Sequence, residues 1–446
     1  MAAIPSNLNQ ASGSAITAAL SNLRTSYNGR GSWLDSATNK YVTNTIDTIQ
    51  TDISASTLDN TQMADYMATS VLIHCFNGWT YLSNAVSSLL EGDHANSIHN
   101  AYYAELRSII SILGSQGIGV FNKYNVLINN SGVALAVTPY RKATHVFAKD
   151  AFDEWLNNPV NSQSILSLFS VDNSTLKDWL HHTGLSSVIS GELAAEKLKQ
   201  WSLDLSTIQN EQKFRNFVSY NPMTLELNTA LADDIKERMK FIIDLWKLCG
   251  PSDLFGLSIL RNSYENLYGA YSYNVKDLDM RADWERIFID LGRDCYNFQN
   301  QQIIKFLKRE INTADNLVFD YAENIKTSSP ILESDVEPFG IISRACIMLL
   351  LNTKIVESIL KQSGTSKADL KFWSDNIGIK SGFWSSTAEP DSFSDLWSDV
   401  ELELEDIQSW INDPLSTDAF KFKNDLKGST VHIRNFAKAY LWKVGI

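Results

Sequence analysis

Arginines followed at short spacing by a histidine or a tyrosine are the residues of this chain best suited to chemistry. Arg215 precedes Tyr220 with four residues between them, and Arg141 precedes His145 with three. A guanidinium can neutralise charge that develops on a phosphate, while an imidazole transfers a proton near neutral pH. Tyrosine, with an ordinary pKa near 10, is a poor base at neutral pH. These four residues are therefore the candidate catalytic residues.

Metal and nucleotide signatures are not recognisable in the sequence. The chain has seven histidines, but none forms HExxH and none pairs with cysteines at zinc-like spacing. The glycines at Gly114, Gly117 and Gly119 follow a predicted helix and lead into a predicted strand. Phosphate-binding loops have the opposite order, from strand to helix. We therefore expect no metal ion and no cofactor.

Composition indicates a soluble helical protein of the reducing cytoplasm. Among 446 residues, 44% are hydrophobic and only 21 glycines and 9 prolines occur, which favours long helices with short connections. A formal charge of −13 argues against a surface that binds nucleic acid throughout. The four cysteines lie far apart, so we expect buried thiols. The longest apolar run, Ala345 to Leu351, is too short for a membrane span and predicts a buried core helix.

Apolar spacing predicts an antiparallel pair of helices in the first third of the chain. Apolar residues recur at intervals of three and four from Leu72 to Leu89, which predicts a helix that ends at Gly92. The next helix is expected to start near Asp93 and to stop at Gly114 to Gly117. Their inward faces place three side chains in one core: Trp79, Tyr103 and Leu106.

A β-hairpin and a series of further helices are predicted after this pair. Two β-prone runs, 124–128 and 133–137, flank the turn residues 129–132, and a helix over about 143–157 is expected to end at Pro159. Downstream, helices are predicted at 163–170, 174–183, 191–204, 207–219, 224–249, 253–266, 280–312, 315–326, 336–363, 366–377, 393–412 and 416–445, the last with a break near Gly428. The expected fold class is therefore all-α, a multi-helix bundle with one small inserted β-hairpin near 124–137.

Polar, proline-containing stretches suggest where the bundle divides. They occur at Tyr220 to Pro222, at Lys326 to Ser334 and at Trp384 to Ser394. Four units are predicted: an N-terminal helical segment at 1–60, a helical domain with the hairpin at 61–222, a central helical domain at 223–330 and a C-terminal helical domain at 331–446.

The segment after Trp79 resembles a known protein family. Its elements are LLEGD, HNAYYAELRS and GIGVFN, followed after the hairpin by THVFAKDAFDEWLNNP. They look like a group of uncharacterised bacterial proteins, similar to the HEPN superfamily of helical bundles, that tend to occur beside defence genes. The resemblance covers about residues 72–222. Active HEPN proteins carry an arginine, a polar residue and then a histidine after four to six intervening residues, and they cleave RNA.

This sequence departs from the HEPN pattern at the histidine. Tyr220 stands where the histidine after Arg215 is expected, Arg434 is followed by Tyr440 in the same way, and Arg141 and His145 are one residue too close. The resemblance therefore implies a cytoplasmic scaffold or sensor of a bacterial antiviral defence or toxin-type system, which acts with a protein partner or as a homo-oligomer and not in a membrane.

Two alternatives stay open beside this interpretation. One is a metal-independent ribonuclease with a degenerate HEPN site, in which RNA is the substrate. The other is a structural α-helical protein without a nucleic-acid role. Polar residues of helical bundles often build recognition sites, so Glu105, Arg107 and Arg434 are the candidate binding residues.

Overall fold

The computed structural model of the protein describes residues 6–27, 31–137, 142–171, 173–182, 195, 235–252, 254–263, 284–307, 317–323, 338–416, 418–428 and 430–444. Helices dominate these ranges, and the few strands form two small antiparallel sheets. The predicted all-α fold class with an inserted β-hairpin is confirmed. The predicted helices 191–204 and 207–219 and the predicted boundaries near 220 and 330 lie outside the described residues.

The described α-helices are given in two groups, those up to residue 182 and those from residue 235. Those of the first group are α1 (Gly13–Ser26), α2 (Thr45–Ala55), α3 (Asn60–Glu91), α4 (His94–Ser115), α5 (Thr144–Leu156), α6 (Pro159–Leu166) and α7 (Leu176–His182). Those of the second group are α8 (Ile235–Cys249), α9 (254–263), α10 (Trp284–Asp290), α11 (Phe298–Leu307), α12 (Leu317–Glu323), α13 (Pro338–Gln362), α14 (Lys371–Lys380), α15 (Leu396–Asn412), α16 (Ala419–Asp425) and α17 (Ala437–Val444).

Helices α3 and α4 form the predicted antiparallel pair, because two adjacent residues stop one helix and start the next. Gly92 has a φ of 78°, a left-handed conformation that glycine adopts without strain and that ends α3. The Asp93 side chain then accepts a hydrogen bond from the backbone N–H of Asn96 at 3.0 Å, which caps α4. Trp79 and Leu106 are buried in the shared core, as predicted, whereas Tyr103 is half-buried against it.

The predicted β-hairpin is present and is part of a three-stranded sheet. Strand β2 (Val126–Ile128) pairs antiparallel with β3 (Ala134–Ala136), and the turn between them contains Gly132 at a φ of 73°. The Asn129 side chain accepts backbone hydrogen bonds from both Ser131 and Val133, which holds the turn. Strand β1 (Ile118–Gly119) adds to β2. A second small sheet pairs β4 (Ser170–Val171) with β5 (Ser174–Thr175).

The helix predicted over 143–157 is present as α5, whereas two other predicted helices have wrong bounds. The helix predicted over 163–170 begins earlier, at Pro159. This proline is the first residue of α6, where a missing N–H costs nothing, and the Asn158 side chain caps that helix. The single helix predicted over 280–312 is interrupted between α10 and α11, where Gly292 has a φ of 73°. The Asp294 side chain accepts from the backbone N–H of Tyr296 at 2.9 Å in the same loop.

Helix α13 is the centre of the bundle. It is apolar and long enough to cross a membrane, but 83% of its apolar window is buried inside the protein. It packs against α3 and α4, where the indole N–H of Trp79 donates to the hydroxyl of Thr353 at 2.9 Å. Gly78 allows this approach, since a Cβ there would lie 2.5 Å from the Leu349 side chain. Helices from the second and fourth predicted units thus share one core.

Candidate functional site

Three of the predicted catalytic residues, Arg141, Arg215 and Tyr220, lie outside the described residues. Their roles stay predictions. The remaining candidates, His145, Glu105, Arg107 and Arg434, are described and lie in four different environments.

Helix α4 carries a row of aromatic and polar side chains on one face. His99 and Tyr103 are four residues apart, a spacing that places them above one another on a helix. The Tyr103 ring stacks on Tyr81 of α3, with centroids 5.4 Å apart and planes 25° apart, and lies 5.0 Å from the His99 ring. Tyr102 meets Tyr103 edge to face at 5.5 Å. We call Tyr81, His99, Tyr102, Tyr103 and His145 the aromatic cluster.

His145, the predicted catalytic histidine, joins this cluster from the first turn of α5. Its Nδ1 lies 2.8 Å from the hydroxyl oxygen of Tyr102, so the two share a hydrogen bond. Tyr102 is buried and His145 is half-buried. An imidazole that shares a hydrogen bond with a phenol can exchange a proton with it, and the ring faces of the cluster can bind flat or cationic groups.

Arg107 lies one helical turn beyond Tyr103 and is fixed by His74 of α3. The Arg107 Nη1 lies 3.0 Å from the His74 Nδ1. Arginine has no acceptor, so Nδ1 must accept and Nε2 carries the ring proton. Burial, and to a smaller extent the charge of Arg107, lower the pKa of His74 to about 3. His74 is therefore neutral at physiological pH and cannot serve as a general acid there.

Glu105, a predicted binding residue, lies inside the bundle. It is 2% exposed, and its Oε1 lies 3.9 Å from Nε of Arg344 on α13, which is equally buried. Two opposite charges removed from water in this way support each other electrostatically. The carboxylate thus joins α4 to α13 instead of facing solvent.

Arg434, the third predicted binding residue, belongs to a surface ion-pair network. Its Nη1 lies 2.8 Å from Glu91 Oε1, and Lys423 Nζ lies 2.6 Å from Glu91 Oε2. Hydrogen bonds from Lys423 and Arg434 lower the pKa of Glu91. Tyr440, the proposed motif partner of Arg434, is buried against Phe76, and burial raises its pKa well above the ordinary value. The pair therefore does not form an acid–base site.

The sequence did not indicate a cleft that lies between α13, α17, residues 167–170 and a segment with Ser252, Phe255 and Gly256. It encloses about 350 Å³ and is lined by three lysines and one glutamate: Lys354, Lys361, Lys443 and Glu357. We call it the lysine cleft. The periodicity of the sequence could have indicated only the α13 side of this cleft, because 350, 353, 354, 357, 358 and 361 recur at intervals of three and four along one face of that helix.

A second unpredicted cluster joins the C-terminal segment to α15. Lys438 is 3% exposed, and its ammonium donates to Nδ1 of His432, which lies 3.8 Å from a carboxylate oxygen of Asp399. Burial lowers the pKa of Lys438, while Asp399 and Glu403 act in the opposite direction. In the described part of the chain, no three histidine, cysteine, aspartate or glutamate side chains are grouped to hold a metal ion.

Comparisons of the chain with protein-family models, with curated proteins and with solved structures find no match. The HEPN-like resemblance therefore rests on the residues quoted for it.

Proposed function

We propose that the protein is a helical scaffold or sensor of a bacterial antiviral defence or toxin-type system. It acts in the cytoplasm with a protein partner or as a homo-oligomer, and the aromatic cluster is its recognition surface. The observation that carries the proposal is the fixed arrangement of the cluster, in which the Tyr102–His145 hydrogen bond and the Tyr81–Tyr103 stack hold half-buried rings in place.

The chemistry around Arg107 favours recognition over catalysis. Metal-independent phosphate cleavage needs a group that gives and a group that takes a proton near neutral pH. Arg107 contacts His74, whose pKa of about 3 keeps the imidazole neutral, so His74 is a poor general acid near neutral pH. Arg107 itself uses one of five N–H groups on His74, so others remain for a carbonyl or an anion of a partner.

A phage-challenge experiment tests this proposal. The gene is expressed with and without its neighbouring genes, as wild type and as Tyr103→Ala, with Tyr296→Ala as the control because Tyr296 is 80% exposed and outside the cluster. We expect protection that needs the neighbours, that is lost in Tyr103→Ala and that is kept in Tyr296→Ala. Unchanged survival in every combination would count against the proposal.

A second candidate function is the degenerate HEPN ribonuclease, favoured by the 2.8 Å contact between Tyr102 and His145. Purified protein is incubated with total RNA, together with His145→Ala, Arg141→Ala and Arg215→Ala. His181→Ala is the control, since His181 is exposed. Cleavage lost in a candidate variant but kept in the control supports the enzyme. Intact RNA at all protein concentrations removes it, and if no nucleic acid shifts the melting temperature either, the structural α-protein is favoured.

A further inference from the structure

The lysine cleft concentrates positive charge in an acidic protein. The chain carries a formal charge of −13, yet the described lining of this cleft contains three lysines and one glutamate. The ammonium of Lys354 lies 2.9 Å from one oxygen of Glu357, and that of Lys361 lies 2.6 Å from the other. One carboxylate thus serves two ammonium groups, so these three side chains of α13 together carry a net charge of +1.

The ammonium groups keep donors for a ligand. An ammonium has three N–H groups, and Lys354 and Lys361 each use one on Glu357. Their side chains are 30% and 65% exposed, so solvent reaches them. The third lysine, Lys443 of α17, donates to the backbone carbonyl of Ser252 at 3.1 Å.

The other lining residues add an apolar surface beside the lysines. Helix α9 contributes Phe255 and Gly256 to the lining. Phe169 and Phe255 form an apolar wall, with their rings edge to face at 5.5 Å. A volume of about 350 Å³ equals that of roughly ten water molecules, far more than an inorganic anion needs.

We propose that the lysine cleft binds a small organic phosphate, with the phosphate on the lysines and the organic group against the phenylalanines. Lysine binds phosphate as a point charge, whereas a carboxylate is matched best by the fork of an arginine, and the described lining contains no arginine. A phosphate monoester carries a charge near −2 at neutral pH and offers three acceptor oxygens to the ammonium groups of Lys354 and Lys361.

Calorimetry and thermal unfolding of the full chain test this site. The probes are adenosine 5′-monophosphate, a hexose 6-phosphate, inorganic phosphate and adenosine. We expect at least one of the two organic phosphates to bind and to raise the Tm, with an affinity that falls as salt is added. Which of them binds tells whether the organic group is a nucleoside or a sugar. Binding of neither, or equal binding of inorganic phosphate or adenosine, would overturn the proposal.

Charge variants show whether binding occurs in this cleft. Lys354→Met together with Lys361→Met should weaken binding about tenfold or more, because each lost ammonium removes a charged hydrogen bond. Lys371→Met is the matched control, since Lys371 is also a helix lysine paired with acids, Asp375 and Glu389, but lies outside the lining. It should leave the affinity within about twofold.

A second variant keeps the test independent of the lysine ion pairs. Ser170 is an exposed lining residue, so Ser170→Glu adds a negative charge to the cleft without removing an internal contact of α13. It should also weaken binding, with the melting temperature of the unliganded protein unchanged. Equal affinity in wild type, the lysine double variant and Ser170→Glu would place the ligand elsewhere and refute the site.

Discussion

The Nη1 of Arg107 donates to the Nδ1 of His74 across 3.0 Å and thereby joins α4 to α3 at the edge of the aromatic cluster. This contact requires a neutral imidazole, because a protonated ring has no acceptor nitrogen. The pKa of His74 is lowered to about 3, first by burial and then by the charge of Arg107. Protonation of His74 would therefore break the contact.

The stability of the protein should depend on pH through His74. In the unfolded chain its pKa is near 6.5, so between pH 6.5 and 3 the unfolded state binds a proton that the folded state does not. This contribution is fully present above pH 6.5 and is lost as the pH falls, by at most about 1.4 kcal/mol per pH unit. Urea unfolding of wild type and His74→Gln from pH 7.5 to 4 measures it. Parallel pH profiles would contradict the assignment.

Arg107 itself is tested by comparing Arg107→Ala with Arg107→Lys. If it recognises a partner, both variants lose protection against phage while the melting temperature stays unchanged, because a lysine ammonium does not reproduce the planar guanidinium. If it is only structural, activity and melting temperature fall together. The two readouts are measured on the same preparations.

Asp65 should act in the direction opposite to His74. Burial, together with the charge of Asp59, raises its pKa to about 6. Between pH 3.8 and 6 the folded state holds a proton that the unfolded state releases, so the stability falls as the pH rises through this range and stays at the lower level above pH 6. Asp65→Asn is expected to be about 1–2 kcal/mol more stable than wild type at pH 7.5, a gain that fades as the pH falls from 6 to 4. A gain in stability that does not change with pH would show that it does not come from the raised pKa of Asp65.

Because Glu105 and Arg344 form a buried pair, we expect the effects of substituting them on the free energy of unfolding to be non-additive. Glu105→Ala leaves the Arg344 charge inside the bundle and should cost about 3–5 kcal/mol in the free energy of unfolding. Replacing both residues by methionine removes both charges and keeps most of the volume, so the double variant should lose less. Chemical denaturation of both variants measures their free energies of unfolding and tests this expectation. A double variant that is less stable than Glu105→Ala would mean that the pair is net stabilising.

Substitution of Glu403 should destabilise the segment before α17. Its carboxylate accepts backbone hydrogen bonds from Val431, His432 and Ile433 at 3.1, 2.8 and 2.9 Å. In Glu403→Gln one acceptor oxygen is replaced by a donor, so we expect a loss of about 1.5–3 kcal/mol and faster hydrogen exchange at these amides. Glu405→Gln is the control, an exposed residue of the same helix that should change stability little.

The sequence predicted those parts of the fold that depend on residues close together in the chain. The α3–α4 connection follows from Gly92 and Asp93, and the hairpin from the turn that begins at Asn129. Strand β1 was missed because Gly117 and Gly119 are typical of a turn, and only pairing with β2 makes 118–119 a strand.

The candidate sites depended on contacts that are remote in sequence. His145 was selected for its spacing from Arg141, but its described partner Tyr102 is 43 residues away. Glu105 was selected from a segment that resembles a family, and its position opposite Arg344 follows only from how α13 packs. The lysine cleft likewise joins Lys354 to Lys443 across two helices, which periodicity within one helix cannot indicate.

The hydrogen bond between Trp79 and Thr353 spans 274 residues, and this separation affects how the chain is made. At synthesis rates of 5–20 residues per second, roughly 15 to 55 s pass between the two residues. During that time the α3–α4 pair has left the ribosome without the helix that covers its apolar side. The nascent protein should therefore depend on a chaperone over this interval, although the finished bundle keeps that surface covered.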